Sequence, residues 1–136
     1  MPAAKRSFEL SLLTETFTVC RLAADAALPE WATRGQFFSI TRTSDELSVI
    51  VETDFVPEKL RTEVSWRALK VHGPFNLSEV GVLAALVAPL AAAGVSVFTI
   101  STFDTDYLLV QRTQWREAVV GLRDAGHTVH EIKTIS

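Results

Sequence analysis

Only one cysteine, Cys20, occurs in the 136 residues, so no disulfide can form within the chain. It lies in an apolar stretch, residues 16–22, and reads as a buried, inert thiol. Basic residues are outnumbered, 13 Lys and Arg against 16 Asp and Glu, for a net charge of −3. That balance offers no electrostatic footprint for nucleic acid. The nearest thing to a basic patch, Lys59, Arg61, Arg67 and Lys70, is interrupted by Glu58 and Glu63 and reads as a solvated surface. The three tryptophans, Trp31, Trp66 and Trp115, are far apart and read as core plugs, not as a stacking platform for RNA bases. No apolar run reaches membrane-spanning length. The longest, residues 80–95, is about one turn short and contains Pro89 and Gly94. The first residues carry Lys5 and Arg6 but then Glu9, which is not the form of a signal peptide. A soluble, cytoplasmic protein without nucleic-acid or membrane partners is expected.

Catalytic and cofactor signatures are also missing. There is no G-x-x-x-x-G-K-S/T, no G-x-G-x-x-G, no G-x-S-x-G and no H-E-x-x-H. His127 and His130 are spaced H-x-x-H on a predicted strand, which sends them to opposite faces and spoils joint ligation, even with Glu131 beside them. His72 reads as structural or ligand-lining. No catalytic residue, no metal and no cofactor are expected, and the protein is not read as an enzyme.

What is present is a core-forming chain, 48% hydrophobic, of a length that suits one ordinary domain or two very small ones. Residues 8–13 and 16–22 alternate apolar and polar, as strands do, and are expected to form a hairpin or a bent pair about Thr14-Glu15. Pro29 and Gly35 bracket a short helical turn. Residues 36–42 and 46–52 form a hairpin around Thr43-Ser44-Asp45, and a further helical turn is expected near Pro57. A strand over 66–72 then ends at Gly73-Pro74.

Asn76, with Glu79 three residues on, reads as a capping box that opens a helix over 77–93, closed by Gly94. From 80 to 93 this helix has no polar side chain, so more than one of its sides needs cover. Residues 95–102 and 106–111 make a second hairpin. Thr113 is expected to cap a helix over 114–125, whose Trp115, Ala118, Val119, Leu122 and Ala125 share one face, and Gly126 ends it. A last strand runs over 128–135. The second half therefore reads β-α-β-β-α-β, the split βαβ arrangement of an antiparallel sheet with both helices on one face. The first half reads as a degenerate copy in which short helical turns replace the helices.

One region can carry a small-molecule site on physical grounds. The helix start around Glu79, Val80, Gly81 and Val82 offers free N–H groups and a positive dipole end to an anion. The second hairpin places hydroxyls, carboxylates and an aromatic ring at its tip: Ser101, Thr102, Phe103, Asp104 and Asp106. A plain capped helix and an ordinary hairpin account for the same residues.

The run Pro89-Leu90, Ala93-Gly94-Val95, Val97, Ile100-Ser101-Thr102-Phe103, Thr105-Asp106 and 108–110 resembles the signature of ACT domains. It is similar to the tandem subgroup of small bacterial proteins, to modules of aspartate kinases and to cytosolic arginine sensors. Val19 to Leu22, Phe37-Phe38-Ser39 and Asp45 to Ser48 resemble the companion domain of that subgroup. The resemblance implies an α+β fold of two ferredoxin-like βαββαβ units. The first is a degenerate ACT-like domain over 1–64 and the second an ACT domain over 65–136. It implies a free amino acid bound by Glu79, Val80, Gly81, Val82, Ser101, Thr102, Phe103, Asp104 and Asp106. It also implies a regulatory sensor that works by ligand-dependent association of domains or subunits, as a homo-oligomer, namely a homodimer. The alternative is an interaction module that dimerises without any ligand.

Overall fold

The structure is a computed structural model that describes residues 6–76 and 79–131. Its elements are β1 (Glu9–Leu22), β2 (Phe38–Arg42), β3 (Leu47–Glu52), β4 (Trp66–Val71), α1 (Val82–Ala92), β5 (Val97–Ser101), β6 (Asp106–Gln111), α2 (Trp115–Asp124) and β7 (Thr128–Glu131). Short 3₁₀ turns occupy Glu30–Thr33, Thr53–Phe55, Glu58–Leu60 and Arg112–Gln114. Two compact units result. One holds Met1–Thr14 together with Arg67–Ser136; the other is Glu15–Trp66. Residues 6–14, which the sequence reading groups with the N-terminal half, thus fall in the same unit as the described part of the C-terminal half.

The reason lies in β1. The expected hairpin about Thr14-Glu15 is one uninterrupted 14-residue strand. Thr14-Glu15-Thr16 contains no Gly, Pro, Asn or Asp, so nothing there supplies a turn conformation. The strand simply continues and contributes a different part of itself to each unit.

In the Glu15–Trp66 unit, β3 pairs antiparallel with β1 from Phe17↔Glu52 to Leu22↔Leu47, and with β2 from Phe38↔Val51 to Arg42↔Leu47. Inward residues of these strands meet the 3₁₀ turns in a core of Cys20, Ala32, Leu47, Val49, Val51 and Val56. Short 3₁₀ turns stand where a ferredoxin-like unit has helices, as the sequence pattern implies. The β2–β3 turn is set by Thr43, whose N–H donates to the Glu46 carbonyl (2.9 Å) while its Oγ1 accepts from the N–H groups of Asp45 and Glu46.

In the other unit the order β4-α1-β5-β6-α2-β7 is the ferredoxin-like βαββαβ sequence. Its sheet holds one strand more than that motif. The start of β1 lies between β7 and β4: Glu9–Leu12 pairs with Thr128–Glu131, and the His72 N–H donates to the Glu9 carbonyl (2.8 Å). The β1–β7 pair is parallel, a departure from the expected antiparallel pattern that β1–β3, β2–β3 and β5–β6 follow. Both helices pack on one face. Leu10, Leu12, Leu69, Val71, Leu108, Val110 and Val129 from the strands meet Val82, Leu86, Leu90, Ala118, Val119 and Leu122 from the helices.

α1 starts later than the capping-box reading places it. Its N-cap is Gly81 in the left-handed region (φ 88°), not Asn76. A left-handed residue interrupts the helical hydrogen-bond ladder, so helix cannot extend back through it. Asn76 instead closes a turn, its carbonyl accepting from the Glu79 N–H (2.9 Å). Residues 77 and 78, where the expected helix begins, lie outside the described residues. At the other end Gly94 (φ 75°) follows the last turn and the Val95 N–H reaches the Leu90 carbonyl (2.9 Å), a Schellman closure. The inner stripe of α1 is buried, while Ala84, Ala88, Ala91 and Ala92 are exposed, so one chain leaves the outer apolar side uncovered.

α2 shows the expected stripe, with Ala118, Val119 and Leu122 buried. Its first turn differs from expectation: Arg112–Gln114 is a 3₁₀ turn, and Gln114 stands at the N-cap without a side-chain cap. β7 spans Thr128–Glu131, and the remainder of the expected strand lies outside the described residues. No helix among the described residues is long and apolar enough to cross a membrane.

Candidate functional site

The segment from β4 to α1 and the tip of the β5–β6 hairpin form two walls of one cleft of about 270 Å³. Three local features build it. The Thr102 N–H donates to the Thr105 carbonyl (2.8 Å), and its Oγ1 accepts from the Thr105 N–H (3.2 Å), which shapes the hairpin end. The same threonine-led turn closes the β2–β3 hairpin, a local geometry repeated in both units. The buried Thr105 then donates its hydroxyl to the Val71 carbonyl (2.7 Å), and the Phe75 N–H donates to the Asp104 carbonyl (2.7 Å). These two bonds fasten the hairpin tip to the loop that follows β4. Gly73 makes the close approach feasible, because a Cβ there would sit 2.8 Å from the Asp104 carbonyl oxygen.

The helix wall carries positive potential. The first helical hydrogen bond runs from the Ala85 N–H to the Gly81 carbonyl (3.1 Å), and no side chain caps the N-terminus. The amides of Val82, Leu83 and Ala84 therefore begin the helix without an intrahelical acceptor. The space beside Gly81 is open, with no atom within 4 Å of where its Cβ would be.

The hairpin wall is acidic. Ser101 Oγ donates to the Asp106 carboxylate (2.6 Å). The Glu79 carboxylate pairs with Arg6 (3.0 Å), whose guanidinium also rests over Phe8 at 4.9 Å and donates to the Val80 carbonyl (3.4 Å). The Asp104 side chain takes no hydrogen bond or ion pair among the described residues. The cleft thus offers one unengaged carboxylate and a row of helix-start amides on opposite walls.

Of the residues singled out from the sequence, Glu79, Gly81, Val82, Ser101, Thr102, Phe103, Asp104 and Asp106 all border this cleft. Val80 does not, and it is 86% exposed. Phe103 borders the cleft with its ring 77% open to solvent. Phe75, Asn76 and Thr105, which lie inside the two segments singled out from the sequence, border it too, and sequence reasoning missed Leu83 and Ala84. The glycine before an uninterrupted apolar run was the available signal for Leu83 and Ala84, since it marks the helix start. His127, set aside as a ligand by spacing, is buried: its Nδ1 accepts from the Phe8 N–H (3.1 Å) and its Nε2 contacts the Ala85 carbonyl (3.1 Å).

Comparison with known proteins gives the family. An ACT domain profile, of the ACT_7 type, matches residues 61–124, and a profile described as an N-terminal domain matches residues 15–59. The structure of protein Atu0741 from Agobacterium tumefaciens is 35% identical, with a TM-score of 0.88, over 96% of this chain and 98% of that one. The chain belongs to the ACT-domain family. Among curated relatives of this ACT-domain protein, human CASTOR3P is 35% identical over 91 residues, 57% of this chain and 56% of that protein. The human cytosolic arginine sensor for mTORC1 subunit 1 is 33% identical over 82 residues, 54% of this chain and 25% of the sensor. The chain therefore spans about half of the first relative and a quarter of the second.

Proposed function

We propose that this ACT-domain protein binds a free amino acid in the cleft between the start of α1 and the β5–β6 tip. The observation that carries the reading is the pairing of opposite electrostatics across one small space. Unshared amides of Val82, Leu83 and Ala84 suit an α-carboxylate, and the Asp104 carboxylate suits an ammonium group. Similarity to a cytosolic arginine sensor supports the same reading. Binding is read as regulatory: a ligand that contacts one arrangement of subunits better than another shifts the population toward it.

The exposed alanine side of α1 favours a second reading, a module that dimerises with no ligand. The two readings separate in one experiment. Backbone NMR spectra are recorded on the full chain with and without each amino acid. Shifts centred on Gly81, Val82 and Ser101 support the ligand reading. A dimer whose spectrum ignores every amino acid supports the other.

A further inference from the structure

Glu9, His72 and His130 are separated by 63 and 58 positions in the sequence, yet their ligand-capable atoms all lie within 4.8 Å of one another. We propose that they form a divalent transition-metal site, with Zn²⁺ as the matching ion. The observation is a convergence of three neighbouring chain segments. Glu9 is on β1, His130 on β7 beside it, and His72 directly follows β4 on its other side. On these strands Leu10, Val71 and Val129 are buried against the helices. Glu9, His72 and His130 have the opposite parity and stand exposed on the other face of the sheet.

The side chains are already turned toward a shared point. His72 Nδ1 is 3.5 Å from one Glu9 carboxylate oxygen, and His130 Nε2 is 3.7 Å from the other. The two imidazoles stack, with centroids 5.5 Å apart and planes 15° from parallel. Tetrahedral Zn²⁺ with bonds of about 2.0–2.1 Å separates its ligands by about 3.3 Å. The exposed tips need to close by roughly an ångström or so to reach that arrangement. Two imidazoles and a carboxylate are a borderline-hard donor set suited to Zn²⁺, and three protein ligands leave a fourth position open.

A supporting contact orients His72. Its Nε2 lies 2.6 Å from Ser11 Oγ. When Nε2–H donates to that hydroxyl, Nδ1 is left with its lone pair directed at the cluster, the tautomer a metal requires. Ser11 is thus a positioning residue. His127 does not join His130: it is buried and bonded to Phe8 and Ala85, while His130 is exposed. The fold gives His130 different partners, drawn from segments that no local pattern connects.

The test is titration of untagged, full-length protein with Zn²⁺ followed by calorimetry, and with Co²⁺ followed by visible absorption. The expected result is one Zn²⁺ per chain and a tetrahedral-type Co²⁺ spectrum. Glu9→Gln, His72→Ala and His130→Ala should each weaken Zn²⁺ binding at least tenfold. Ser11→Ala should weaken it by roughly ten- to a hundredfold. Glu131→Gln, whose carboxylate pairs with Arg123, should leave affinity unchanged. All replaced ligands are exposed, and circular dichroism melts of the metal-free variants check that each folds. No Zn²⁺ uptake, or uptake that the three ligand variants leave intact, overturns the proposal.

Discussion

The Phe75 N–H donates to the Asp104 carbonyl at 2.7 Å, and that one bond joins the loop after β4 to the tip of the β5–β6 hairpin. The two walls of the cleft are thereby held at a fixed separation across 29 positions of sequence, from 75 to 104. The tie depends on close backbone approach at Gly73, where an added Cβ would meet the Asp104 oxygen at 2.8 Å. Gly73→Ala should therefore push the walls apart and destabilise the fold by about 1–3 kcal/mol. Urea denaturation of the variant checks the stability. An unchanged midpoint would mean that the loop relaxes freely and the tie is not structural.

Gly81 poses the opposite case. Nothing crowds it, but φ of 88° strains any side chain. Gly81→Ala should cost about 1–2 kcal/mol from backbone strain alone. A bulkier residue such as Trp should cost little more stability, since the space is open, yet block the cleft. Comparing melts with amino-acid binding for the two variants separates strain from obstruction.

His127 is a buried imidazole with both ring nitrogens engaged, by the Phe8 N–H and the Ala85 carbonyl. It ties the start of β1 and α1 to the end of α2 and also stacks near Phe8 (5.7 Å). His127→Ala should destabilise by about 2–4 kcal/mol through a cavity and two unpaired polar groups. Equilibrium unfolding in urea measures it. A loss below about 0.5 kcal/mol would show that water replaces the ring's bonds at no cost.

Burial raises the pKa of the Cys20 thiol above the ordinary thiol value. Its contribution to stability is then fully present below the unfolded thiol's pKa. It is lost as pH rises through the folded value, because the unfolded chain ionises first. Native protein should accordingly react slowly with a thiol reagent at neutral pH and quickly in denaturant. The difference should vanish in neither salt nor mild reductant, and equal rates in native and denatured protein would contradict it. Cys20→Ser should flatten the alkaline fall in stability.

Much of the fold was legible because hydrophobic period and turn chemistry agree over long stretches. Trp115, Ala118, Val119 and Leu122 announce α2, and Gly94 and Gly126 announce both helix ends. Two local rules misled. Asn76 and Glu79 have the spacing of a capping box, but Gly81 five residues after Asn76 takes a left-handed φ and resets the helix start to Val82. Thr14 and Glu15 separate two alternating runs, but without a turn residue the strand runs on. The cleft was half legible. Its helix-start glycine and hairpin carboxylates lie within one continuous segment, whereas Phe75 and Thr105 owe their places to tertiary hydrogen bonds. Arg6 beside Glu79 and the Glu9, His72 and His130 cluster join distant segments, which periodicity does not reveal.

The acidic hairpin wall makes a selectivity prediction. Asp104 and Asp106 should disfavour ligands with a second carboxylate and favour ammonium or guanidinium side chains. Basic amino acids should bind at least tenfold more tightly than aspartate or glutamate, and Asp104→Asn should shrink that gap. Competition against a bound amino acid reads the ratio. Preference for aspartate or glutamate would place the ligand's side chain away from this wall.

The cleft beside Gly81 is proposed to hold a free amino acid. Isothermal calorimetry of the full chain against each of the common amino acids tests it most directly. Saturable heat is expected for at least one of them, abolished by Gly81→Trp in protein that still melts cooperatively. A flat response to every amino acid, or a response that Gly81→Trp leaves untouched, would contradict it.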